Sequence, residues 1–107
     1  MGLLVSTMRL QYLLLMKGSL EYKIQLITQS KMGLMQSTSE LMSVGNDYDP
    51  DSPIVKALQQ RQAKLKMLEQ QLDVQMQQYQ NQLKSVETEI ESARGVIDKN
   101  IESSFKY

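Results

Sequence analysis

Cysteine, histidine and tryptophan are absent from this chain of 107 residues; phenylalanine occurs once and proline twice. Without cysteine there is no disulfide framework, no thiolate nucleophile and no thiolate metal site. That absence is neutral about compartment, since it suits oxidising and reducing surroundings alike. Without histidine, the usual proton shuttle near neutral pH and the commonest metal ligand are both missing. Net charge is scarce too. Twelve basic residues balance 12 acidic ones, so no bulk field draws the chain toward nucleic acid or an anionic membrane. The most apolar stretch, LLVSTMRLQYLLLM at 3–16, is interrupted by Ser6, Thr7, Arg9 and Gln11 and closed by Lys17, short of the roughly 20 apolar residues that a bilayer span needs. It has neither the basic opening nor the small-residue cleavage site of a secretory leader. The expectation is a chain with no stable membrane span, no cofactor and no metal.

What is present builds helices. Leu13, Leu20, Ile27, Leu34 and Leu41 recur every seven residues, two helical turns, which places them along one seam of a continuous helix. Met16 and Ile24 flank that seam. Gly18 and Gly33 each cost such a helix about 1 kcal/mol relative to alanine, so they are expected where the helix bends or is closely approached. Leu72, Met76, Tyr79, Leu83, Val86, Ile90, Ala93 and Ile97 follow one another at alternating steps of four and three, an unbroken heptad seam. Leu58, Leu65 and Leu68 extend it backward, Glu69 interrupts it, and Ile101 and Phe105 prolong the apolar face. Ten glutamines from Gln59 to Gln82 surround the seam with uncharged helix formers.

Between the two patterns lies GNDYDPDSP, residues 45–53, with both prolines and three aspartates. Its spacing fails as a calcium loop, because the sixth position counted from Asp47 is Ser52 and the twelfth is Leu58, where glycine and glutamate are required. It reads instead as a corner. Gly45 suits a left-handed helix end. Pro50 holds Asp49 extended, Ser52 caps the next helix, and Pro53 fits its first turn. The expected fold is all-α: a single hairpin of two long antiparallel helices, coiled-coil-like, with a helix over 3–44, the corner over 45–53 and a helix over 54–105. Each helix can offer only one seam to the other. Leu3, Leu4, Val5, Leu14, Leu15, Leu26, Met32, Met35, Val74 and Val96 then point elsewhere, so self-association is expected to complete the structure.

The corner DPDSP at 49–53, the following IVKALQQRQAKL at 54–65 and the closing VIDKNIESSFKY at 96–107 together resemble the needle subunits of type III secretion systems. The resemblance spans residues 45–107; the first helix is longer and more apolar than that family's. It implies a small helical hairpin that polymerises through an apolar, Phe-containing C-terminal segment, here with Ile97, Ile101, Phe105 and Lys106 in the corresponding places. It further implies an extracellular or cell-surface protein exported without a cleaved signal peptide, with secretion-system base or tip proteins as possible partners; the alternative is cytoplasmic.

The residues bear differently on three function classes. As an enzyme, the chain offers only Lys84, Glu87, Glu89, Glu91 and Arg94, which read as a solvated face with Lys84–Glu87 and Glu91–Arg94 pairs at i,i+3; no enzymatic activity is expected. As a nucleic-acid binder it offers Lys56, Arg61, Lys64 and Lys66 without interleaved aromatics, and no nucleic acid is expected. A homopolymeric filament subunit uses the surplus apolar surface. Leu3, Leu4, Val5, Leu14, Leu15, Ile101 and Phe105 are its expected assembly residues, and a soluble coiled-coil scaffold of discrete size is the alternative.

Overall fold

A computed structural model describes residues 2–105. Two helices account for almost all of them: α1, Leu3–Gly45, and α2, Pro53–Phe105. They pack against each other as an antiparallel helical hairpin, and no strand occurs among the described residues. The fold class expected from the two heptad patterns is therefore the one observed.

The corner is built from short-range hydrogen bonds. At the end of α1, Asp47 N–H donates to Val44 C=O at 3.2 Å and Tyr48 N–H to Gly45 C=O at 3.4 Å. Such i→i+3 bonds tighten the last turn and satisfy carbonyls that the helix leaves unpaired. Gly45 is consequently not in a left-handed conformation; no described residue has positive φ. The expectation of a left-handed end is corrected by this tightened turn, which needs no such residue. Ser52 N–H donates to Asp49 C=O at 3.0 Å across a turn with Pro50 at its second position, and Asp51 N–H donates to Asp49 Oδ1 at 3.3 Å. At the start of α2, Val55 N–H donates to Ser52 Oγ at 3.3 Å, an N-cap followed by Pro53 at the first helical position.

The hairpin divides into two compact units. In the first, residues 2–24 lie against residues 78–105 of α2. Leu13, Leu20, Val86, Ile90 and Ala93 are buried there, with Leu10, Met16, Tyr79 and Leu83 packed on them. The second unit, Gln25–Gln77, contains the corner. Its only buried described residue is Ile27; Leu34, Leu41, Val55, Leu58, Leu65, Leu72 and Met76 are half-buried.

Burial traces the inner track of each helix. On α1 it runs through Ser6, Leu10, Leu13, Lys17, Leu20, Ile24, Ile27, Lys31, Leu34, Thr38, Leu41 and Gly45; on α2 through Val55, Leu58, Gln62, Leu65, Glu69, Leu72 and onward to Ile97 and Asn100. Steps of three and four alternate without a break, so both helices carry full heptad seams. Glu69 occupies a seam position rather than ending the seam. After Ile97 the inner track passes to Asn100 and leaves Ile101 and Phe105 exposed.

Gly18, Gly33 and Gly95 lie inside continuous helix, and a Cβ built on any of them meets nothing within 4 Å. Close helix approach, one of the two roles expected of Gly18 and Gly33, is therefore not found at either; Gly33 borders an open groove between the helices. Gly45 does face the other helix: a Cβ there would meet Leu58 Cδ1 at 3.7 Å.

Candidate assembly surface

Most of the chain's large apolar side chains are on its outside. Among the described residues twenty-one large hydrophobics are exposed, whereas the buried apolar core comprises six residues. A paired helix buries one stripe of its surface, and α1 is apolar nearly all round at its start. Leu4 and Leu15 are each 74% exposed, and Leu3, Val5, Met8, Tyr12, Leu14 and Tyr22 are exposed beside them. Ile101 and Phe105, at the far end of α2 in the same unit, are exposed too, Phe105 at 86%. Lys106, the basic residue in the family resemblance, lies outside the described residues.

The assembly residues named from the sequence are thus all on the outer surface of the first unit, whereas the seam residues Leu13 to Leu41 and Leu72 to Ile97 are buried or half-buried; Leu68, expected to extend the seam, is exposed because Glu69 takes that position. Gly45, Pro50, Ser52 and Pro53 meet at the corner. Sequence reasoning overlooked Met8, Tyr12 and Tyr22. The signal was present, because Met8 stands three residues from Val5, and Tyr12 and Tyr22 stand three and seven residues from Leu15, a helical spacing like that of the inner seam.

The polar members of the inner seam were also overlooked. Lys31 sits on the α1 track and pairs with Asp73 of α2. The Asp73 hydrogen bond raises the Lys31 pKa above its ordinary value of 10.5; partial desolvation opposes the shift, and the charges of Asp73 and Glu69 reinforce it. Lys17 bridges Glu21 of its own helix at 3.9 Å and Glu87 of α2 at 4.0 Å. Lys23 Nζ stands 5.5 Å from the centre of the Tyr79 ring, within cation–π range. The Lys84–Glu87 and Glu91–Arg94 pairs expected along α2 are not formed among the described residues, since Glu87 reaches across to Lys17 instead. Ser6 is 2% exposed and its Oγ has no hydrogen-bond partner.

Among the described residues no group of three acidic residues converges as a metal site, and no helix is long and apolar enough to cross a membrane. An apolar groove of about 540 Å³ lies in the second unit between Ser37, Glu40, Leu41, Val44, Arg61, Lys64 and Leu65. It is an open furrow between two helices. Neither a protein-family model, nor a curated protein, nor a solved structure matches the chain.

Proposed function

We propose that this protein is a structural subunit that assembles with copies of itself into a homopolymeric filament, needle-like in plan. The observation that supports the reading is the distribution of apolar side chains: α1 alone leaves thirteen large hydrophobics exposed, from Leu3 to Val44. Exposed apolar surface in such quantity favours an interaction face, and burying it returns about 25 cal/mol per Å². Both the N-terminal turns of α1 and the C-terminal turns of α2 contribute to the exposed apolar surface of the first unit, so the same end of the hairpin offers two faces to neighbours. In this reading Leu3, Leu4, Val5, Leu14, Leu15, Ile101 and Phe105 make subunit contacts, with Phe105 as an aromatic anchor. The protein works at or outside the cell surface, and secretion-system base or tip proteins are its further partners.

Negative-stain electron microscopy of the purified protein tests the proposal directly. Continuous rods of constant width are the expected outcome. Uniform small particles would replace the filament with a discrete coiled-coil scaffold, and monomeric protein at all concentrations would remove both.

A further inference from the structure

The outer side of α1 carries a second heptad seam that the hairpin does not use. Val5, Met8, Tyr12, Leu15, Ser19 and Tyr22 follow at steps of three, four, three, four and three, and all six are exposed. They lie on the side of the helix opposite the buried track of Ser6, Leu10, Leu13, Lys17 and Leu20. Alternating steps of three and four are what a helix presents to another helix in a coiled coil. With the flanking Leu4, the exposed area of this track is on the order of 800 Å², about what one partner contributes to a standard interface.

The track does not match α2, whose outward side in the same unit is polar, with Asn81, Lys84, Ser85, Thr88, Glu91 and Ser92 exposed. It does match itself when reversed. About a two-fold axis midway between Leu13 and Leu14, Val5 falls opposite Tyr22, Met8 opposite Ser19, and Tyr12 opposite Leu15, so that each of the two largest side chains meets a smaller one and no two tyrosines coincide. A parallel pair would instead set each track residue against its own copy, Tyr12 on Tyr12 and Tyr22 on Tyr22, a crowding that the reversed pairing avoids.

Resting on the self-assembly reading and deepening it, we infer that two copies of this chain pair antiparallel through the outer seam of α1, Val5 to Tyr22, about a two-fold axis near Leu13 and Leu14. Such an isologous contact closes on itself. The dimer is then the building block, and longer assemblies grow through a different surface, for which exposed Ile101 and Phe105 are available.

The absence of cysteine makes cross-linking clean. Val5→Cys and Tyr22→Cys proteins are mixed in equal amounts and mildly oxidised. In the antiparallel pair residue 5 of one copy is level with residue 22 of the other, while like positions are about 25 Å apart along the axis, far beyond the roughly 7 Å Cα separation a disulfide allows. The expected product is the mixed disulfide, with each variant alone giving none. In parallel, Leu15→Glu should weaken dimerisation by at least about a hundredfold in sedimentation, because the interface would bury two unpaired carboxylates, while the circular dichroism of the hairpin stays unchanged. Disulfides within each single variant would overturn the antiparallel arrangement. Assembly that survives Leu15→Glu without the mixed disulfide would overturn this inference and leave the self-assembling reading standing; a wild-type monomer at all concentrations would overturn both. A monomer that binds phosphatidylcholine vesicles through Leu15 would assign the seam to lipid and overturn the pairing.

Discussion

Ser6 and Lys31 show how individual polar residues limit the stability of this hairpin. The Ser6 hydroxyl is buried without a partner, and leaving such a group unsatisfied costs about 1–3 kcal/mol. Ser6→Ala is therefore expected to raise stability by about 1 kcal/mol, read as a higher denaturant midpoint at unchanged slope. Lys31 is different because it has a partner. Its pKa is raised by Asp73, so its contribution is fully present below the lysine's unfolded value and is lost as pH rises through the folded one. Thermal melts are expected to be insensitive to this pair between pH 7 and 9 and to show its loss only above about pH 10.5; Asp73→Asn should abolish that alkaline step while lowering the midpoint at pH 7. Deeper in the seam, Ile90 is 4% exposed. Ile90→Asp would bury an unpaired carboxylate at a cost of several kcal/mol and is expected to leave little folded hairpin by circular dichroism.

Each helix is specified by its ends and its periodicity, and the ends are short-range chemistry. Ser52→Ala removes the acceptor for Val55 N–H and is expected to cost about 1 kcal/mol of stability. Gly33 and Gly95 are placed where helix propensity alone acts, since nothing lies within 4 Å of an added Cβ. Gly33→Ala and Gly95→Ala should each stabilise the isolated hairpin by up to about 1 kcal/mol. If either substitution strengthens the hairpin in melts yet impairs assembly in sedimentation, that glycine lies under a neighbouring copy. The two units differ in what fills their seams. Leu13, Leu20, Val86, Ile90 and Ala93 form a buried cluster in one, whereas Lys31, Thr38, Gln62 and Glu69 occupy seam positions in the other. Hydrogen exchange is accordingly expected to be slower at residues 83–93 than at 58–69, because local opening follows apolar packing.

At the scale of the whole molecule, exposed apolar surface is the dominant feature, and its removal is the relevant perturbation. Deleting residues 101–107 takes away Ile101 and Phe105, both of which are exposed and lie off the inner track of the hairpin. The truncated chain is expected to remain helical and to pair through α1, but to stop short of longer assemblies in electron microscopy. Filaments indistinguishable from those of the full chain would exclude the C-terminal turns as the growth surface. Gln77 and Gln80 are exposed on α2; Gln77→Glu with Gln80→Glu should leave the hairpin intact, and unaffected assembly would place that face in solvent.

The sequence by itself determined the helical hairpin. Seven-residue spacing from Leu13 to Leu41 and alternating steps from Leu72 to Ile97 are local properties of the chain, and Ser52 and Pro53 mark a helix start through contacts within four residues. Such signals need no knowledge of the partner helix. What the tertiary structure decided is which residues each helix turns toward the other. Lys17, Lys31 and Glu69 look like surface residues in isolation, yet they occupy seam positions because the heptad phase is set by the whole track and a long charged side chain can snorkel from a half-buried site. Gly45 looked like a left-handed stop; the descent into the corner used i→i+3 bonds instead, a choice made by the closing turn. The outer seam from Val5 to Tyr22 shares its spacing with the inner one, and periodicity cannot rank two stripes on one helix. Only the packing of α2 against Leu13 and Leu20 left Tyr12 and Leu15 outside, because an antiparallel neighbour covers one side of a helix and no more.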